Sequence, residues 1–240
     1  MAHRKGEKEA LRRQREEREA KARADQQRKR LVGFGGAATI AVAALVIVFL
    51  LVGGGGNGDG SAADGGFFPG GGDAPTQKVF DLEEAVSAAG CELESAKGSG
   101  VATHTTSLDE KVNYKTNPPT NGRHYEIPAE DGVYGATPPP DEALVHALEH
   151  GRVIIWVKPS VPEDVRATIR AMSDEDEGFQ TLLVQRKEMP AAVAATAWNR
   201  DPLPGGTGRM LSCDEWNPKA LDALRAFRDE HRSNGPEPVP

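Results

Sequence analysis

The sequence predicts an α+β domain, a small mixed sheet with helices packed on it, preceded by one transmembrane helix. Three observations carry that prediction. The run Asp141–Val157, DEALVHALEHGRVIIWV, reads as a short helix, a stop at Gly151 and a fully buried strand. From Lys78 onward the chain keeps alternating runs of helical and strand-like periodicity. From Leu31 to Val52 there is no charged residue. At ~1.5 Å per residue that stretch reaches ~33 Å, enough for the ~30 Å hydrocarbon core.

Taken in order, residues 1–30 form a basic arm with twelve Lys and Arg against six Asp and Glu, although the whole 240-residue chain carries a net charge of −7. The arm mixes both signs at helical spacing without an apolar stripe. It reads as a solvated segment near anionic headgroups rather than a nucleic-acid binder. Arg28, Lys29 and Arg30 abut the apolar stretch 31–52, whose far side opens with GGGGNGDG. The positive-inside rule therefore puts the N terminus in the cytoplasm and the C-terminal domain outside the cell membrane. The apolar run is long, follows a long polar leader and lacks a small-residue exit, so it is expected to be retained as an anchor rather than cleaved. Residues 53–77 are Gly-rich and read as a flexible tether with Phe67 and Phe68 its only sticky point; the folded domain is expected over 78–233 and a frayed polar tail over 234–240.

Within the domain, Val79, Leu82, Val86 and Ala89 predict an amphipathic helix stopped by Gly90. The β-branched run 101–106 predicts a strand carrying His104. A long irregular region, 113–140, is of the length that usually serves a function. After the central helix and strand, Ser160-Val161-Pro162-Glu163 has the pattern of a capping box opening a helix to Met172, and the acidic run DEDEG reads as a solvated loop. Residues 180–186 and 192–198 read as strands, and Asn217-Pro218 opens a last helix with Leu221, Leu224 and Phe227 on one face. Tyr114, Tyr125, Tyr134, Trp156, Trp198 and Trp216 are expected to pack in or near the core. This strand–helix–strand–helix–strand–strand–helix order resembles that of the thioredoxin-like fold. No C-x-x-C precedes the first helix, so no redox activity is implied.

Four of the six histidines, His104, His124, His146 and His150, lie between positions 104 and 150. His146 and His150 are four apart on the predicted helix, which puts both imidazoles on one face. Three or four imidazoles form a familiar ligand set for a transition metal, copper or zinc here. Glu149 would stand behind them, orienting an imidazole. Two alternatives stay open. The histidines could be structural, within a non-enzymatic cell-envelope interaction module. The run His146-Ala147-Leu148-Glu149-His150 also fits the H-x-x-E-H pattern of a zinc-dependent hydrolase, which needs an open metal position and a base near the bound water. No acidic ligand follows in a recognisable motif, and the balance leans away from an enzyme. Cys91 and Cys213, an even pair on the outer side, favour a disulfide over thiolate ligands. Closing a loop of ~120 residues would add ~4–5 kcal/mol on the chain-entropy model.

The combination of Gly90-Cys91, His104, Tyr114, NPPTNGRHY (117–125), GVYG (132–135), VHALEHG (145–151), ATAW (195–198), LSCD (211–214) and Pro236-Glu237 resembles the bacterial family designated domain of unknown function 3105. The resemblance covers Val79 to the C terminus. It implies an N-terminally anchored extracytoplasmic domain, frequent in actinobacteria, without an established activity. It further implies that the positions of His104, His124, His146, His150 and both cysteines are shared.

Overall fold

The computed structural model describes residues 66–98, 103–108 and 110–237. The basic arm, 1–30, and the expected membrane span, 31–52, lie outside the described residues. Among the described residues no helix is long and apolar enough to cross a membrane.

Helix α1 spans Leu82–Ala89. The Asp81 side chain accepts a hydrogen bond from the Glu84 amide at its start, and Gly90 ends it in the left-handed region. Strand β1 (Glu92–Lys97) follows, then two short strands, β2 (His104–Thr105) and β3 (His124–Tyr125), and β4 (Gly132–Tyr134). Helix α2 (Asp141–Glu149) and strand β5 (Val153–Val157) are the pair that DEALVHALEHGRVIIWV predicts. They are followed by α3 (Glu163–Ser173), β6 (Thr181–Gln185), β7 (Val193–Asn199), β8 (Thr207–Cys213) and α4 (Ala220–His231).

Six strands make one mixed sheet in the order β1-β8-β7-β5-β6-β4. The β1–β8, β8–β7 and β7–β5 pairs are antiparallel, whereas β5–β6 and β6–β4 are parallel. β5 and β6 are buried along their whole length, and successive residues serve opposite faces. Val153, Ile155 and Val157 join Leu183, Val193 and Leu211 under α1, α3 and α4. Ile154 and Trp156 join Leu182, Val184 and Trp198 under Leu144, Val145 and Leu148 of α2. Each of these aliphatic side chains gains ~1.5–3 kcal/mol from full burial. The small residues Ala194, Ala195 and Ala197 on β7 leave room for helices on both sides.

Several expectations are corrected. The strand with His104 is not part of this sheet: β2 pairs with β3 in parallel and forms a separate two-stranded ribbon. The irregular region 113–140 contains β3 and an edge strand of the main sheet, β4. β1 and β8 are further strands that periodicity does not reveal. Ser160 makes no capping box, because the chain enters α3 at Pro162 without a side-chain cap. The acidic run is a tight 3-10 turn, Glu175–Gly178, whose carboxylates hold the last helix. Phe68, inside the expected tether, is buried in the core, and Arg166 donates to the Phe67 carbonyl while stacking 4.2 Å from its ring centre.

Candidate metal centre

Helix α2 is anchored before it presents anything. Arg186, just after β6, donates both terminal nitrogens to the Asp141 carboxylate at 2.7 and 3.0 Å. Its Nε donates to Asn117 Oδ1 at 2.7 Å, so one guanidinium ties the start of α2 to the loop 112–123. Glu142 accepts from the Val112 amide at 3.2 Å, and the Tyr114 hydroxyl donates to the Arg123 carbonyl at 2.8 Å. The loop also lies directly on the sheet at Gly208. A Cβ there would fall 2.3 Å from Thr120 Oγ1 and 2.2 Å from Asn121 Nδ2, so only glycine allows the approach. His124, the next histidine along, is thereby pressed edge-on against Trp198, with ring centres 5.9 Å apart.

The parallel ribbon places His104 directly beside His124, and His146 and Glu149 of α2, with His150 capping its C-terminal end, face them from one side. Ring centres of His104, His124 and His146 lie 4.6–4.8 Å from one another, and His146 and His150 are 4.4 Å apart. The ring nitrogens are sorted by their partners. His124 Nδ1 lies 2.8 Å from the Gly122 carbonyl and His146 Nδ1 lies 2.6 Å from the Tyr125 carbonyl. A carbonyl only accepts, so both Nδ1 atoms carry a proton, and His146, its pKa lowered to about 4, keeps the lone pair on its Nε2. The Nε2 atoms are the ones that converge. His124 Nε2 is 2.9 Å from Glu149 Oε2, His104 Nε2 is 3.9 Å from the same oxygen, and His146 Nε2 is 2.9 Å from His150 Nε2.

Burial is graded across the cluster. His124, His146 and Glu149 are buried, whereas the His104 side chain is 43% exposed. Burial first, then the neighbouring His124 and His150, push His146 down to about 4, against the opposing pull of the Tyr125 carbonyl. Burial alone would raise Glu149, but His124, followed by His146 and His104, holds it below the usual carboxylate range. Burial and the Arg152 cation lower His150. At neutral pH the site therefore presents a carboxylate and a neutral His146.

Two overlapping groups of donor atoms result, each lying within 4.8 Å of one another: His104, His124, His146 and Glu149, and then His146, Glu149, His150 and Glu237. Three of the four expected histidines share the first group, and His150 joins through the second. Glu149 lies among the imidazoles, 2.9 Å from His124 Nε2. Glu237 is the residue that the sequence reading misses. It arrives on a C-terminal segment that is docked where fraying was expected: the Ser233 amide donates to the Gly151 carbonyl at 2.8 Å, and the Glu237 amide donates to the Glu149 carbonyl at 3.1 Å. Its carboxylate comes within 3.8 Å of His150 Nε2. The Pro236-Glu237 pair was visible in the family resemblance, but nothing local to it signals a site. His231 lies elsewhere, bonded to Asn199 and packed on Phe227. Cys91 and Cys213 form a disulfide and leave no thiolate to join the cluster.

A mixed-sheet α+β domain with a buried histidine–glutamate cluster at one face of the sheet is the class that the fold and site define. The model of the family described as Protein of unknown function (DUF3105) matches residues 105–239, more than half of the chain, and the chain belongs to that family. The matched span holds five of the six clustered residues, with His104 one position outside it. No match is found among curated proteins or among solved structures.

Proposed function

We propose that the chain is a membrane-anchored extracytoplasmic protein whose outer domain binds a transition metal, copper or zinc, through this cluster. One observation carries the reading. His104, His124, His146 and Glu149 bring donor atoms within 4.8 Å of one another, and His124 Nε2 and Glu149 Oε2 face each other in the interior at 2.9 Å. A proton on the imidazole satisfies this pair, and a metal cation would take the place of that proton between the same two atoms. The spacing suits coordination: bonds of ~2.0–2.1 Å put neighbouring ligand atoms ~2.9 Å apart at right angles and ~3.4 Å apart in a tetrahedron. Imidazole nitrogens with carboxylate oxygens and no sulfur suit zinc or Cu(II). The Nδ1 bonds to the Gly122 and Tyr125 carbonyls are the outer contacts that orient ligating imidazoles.

The test is metal content. Purified full-length chain, incubated with Zn²⁺ and desalted, is expected to retain metal, whereas His124→Ala and His146→Ala retain little. Negligible metal in all three would overturn the reading. The anchor and orientation rest on Leu31–Val52 and its flanking charges, and the disulfide suits an oxidising compartment. Protease added to intact cells is expected to digest the C-terminal domain and spare an N-terminal epitope.

A second reading, an envelope interaction module in which the histidines pin the loop 113–140, is supported by those same Nδ1 bonds. It expects His124→Ala to lower thermal stability equally with and without chelator. The hydrolase reading draws no support from the geometry, since Glu149, the base that H-x-x-E-H would supply, lies against His124.

A further inference from the structure

We propose that the centre holds two metal ions bridged by Glu149, with Glu237 supplied by the docked C-terminal segment as a ligand to the second. The proposal rests on the metal-binding reading above and extends it from a site to a stoichiometry. Six donors are present, and they fall in two overlapping groups rather than one. The farthest ligands on one ion with ~2.0–2.1 Å bonds are ~4.2 Å apart, so a single ion cannot serve both groups.

Proton positions then decide which residue is shared. His146 has its Nδ1 committed to the Tyr125 carbonyl and offers Nε2 alone, so it serves one ion. Its Nε2 lies 2.9 Å from that of His150, which places the two on the same ion, with Glu237 3.8 Å from His150. His124 Nε2 and His104 Nε2 lie 2.9 and 3.9 Å from Glu149 Oε2 and form the other half. Of the two residues common to both groups, only Glu149 has two ligand atoms to divide between ions. Pairs of ions held this way sit ~3.5–4 Å apart.

The position of Glu237 is built into the backbone. A Cβ at Gly235 would fall 2.1 Å from the Glu149 carbonyl oxygen and 2.3 Å from the Gly151 nitrogen, so the chain passes there only as glycine. The second ion is thus completed by a segment more than 85 residues away along the chain from His150, held by main-chain bonds to the end of the helix that supplies the other ligands.

Equilibrium dialysis of the full-length chain in detergent against Zn²⁺ and against Cu²⁺ tests this. Copper measurements use a His3→Ala background, so that the basic arm contributes no imidazole of its own. Two ions per chain are expected, falling to one in His150→Ala and in Glu237→Gln. The Cu(II)-loaded protein is expected to show the electron paramagnetic resonance of a coupled pair, replaced in Glu237→Gln by that of an isolated ion. Glu237 is half exposed, so its variant leaves the fold intact. One ion per chain, unchanged by either variant, would overturn the two-ion centre while leaving metal binding in place. Two ions without coupling would overturn the bridge, and no bound metal at all would remove both readings.

Discussion

Two buried polar clusters in this domain use similar helical spacing and arrive at opposite chemistry. Arg225 and Arg228 on α4, with Arg232 just beyond it, face the acidic turn after α3. Arg225 donates to Glu175 from Nε and Nη2, at 3.0 and 2.6 Å at closest, and Arg228 reaches the same carboxylate at 2.9 Å and the Met172 carbonyl at 2.7 Å. Arg232 pairs with Asp176. Each guanidinium there has a carboxylate to bond. His146 and Glu149 of α2, with His150 at its end, face His104 and His124 instead, so one buried carboxylate meets a group of imidazoles. The first cluster sets each cation against a carboxylate, with Arg225 Nη1 and Arg232 Nε and Nη1 left without a hydrogen bond; the second gathers several imidazoles around one buried carboxylate.

That difference can be broken from either side. The largest effect is expected from Glu175→Ala, which strips the shared partner from two buried arginines: about 2–3 kcal/mol of stability, reduced from the usual cost because the carboxylate is one-third exposed. Urea denaturation should show that loss equally with Zn²⁺ and with chelator. Next comes metal itself. Zn²⁺ at ~100 times its dissociation constant should add ~2.7 kcal/mol to the wild type for each ion bound, read as a raised melting temperature that is reduced in His124→Ala. Gly235→Ala, which forces the C-terminal segment off α2, should cost ~1–2 kcal/mol as a clash that the backbone must relieve. It should also weaken metal retention, while Glu175→Ala leaves retention unchanged.

The smallest effect is one of pH on the metal-free protein. His146 is lowered to about 4 when folded and titrates near 6.5 when unfolded. The unfolded chain therefore binds more protons between those values, and stability rises with pH across that window. Stability should be level above about pH 7 and fall on acidification, by on the order of 1 kcal/mol at pH 5.5. His146→Asn should flatten that slope, and the arginine cluster, whose cations stay charged throughout, should add nothing to it.

What the sequence reveals follows the strength of its local signals. α2 and β5 are legible because helical histidine spacing, a glycine stop and five apolar residues in a row all agree. β1, ELESAK, has a single large apolar residue, Leu93, and that residue is exposed, so no alternation marks the strand. β8 carries Gly208 where a side chain would be expected, because the loop 117–123 needs that space. His146 and His150 can be paired from spacing. Pairing His104 with His124 requires the register of a two-residue ribbon, which no periodicity encodes. Glu237 follows a Gly-Pro step in a polar tail, a composition that reads as frayed, and only its main-chain bonds to the end of α2 reveal otherwise.

The Cys91–Cys213 bond spans 122 residues, and His104, His124, His146, Glu149 and His150 all fall inside the covalent ring it closes. A single proteolytic nick anywhere in that ring leaves two pieces still joined, so the histidines stay on one molecule. Separating the ring from the N-terminal part of the chain requires a cut before Cys91. A cut after Cys213 releases only the last helix and the strap that carries Glu237.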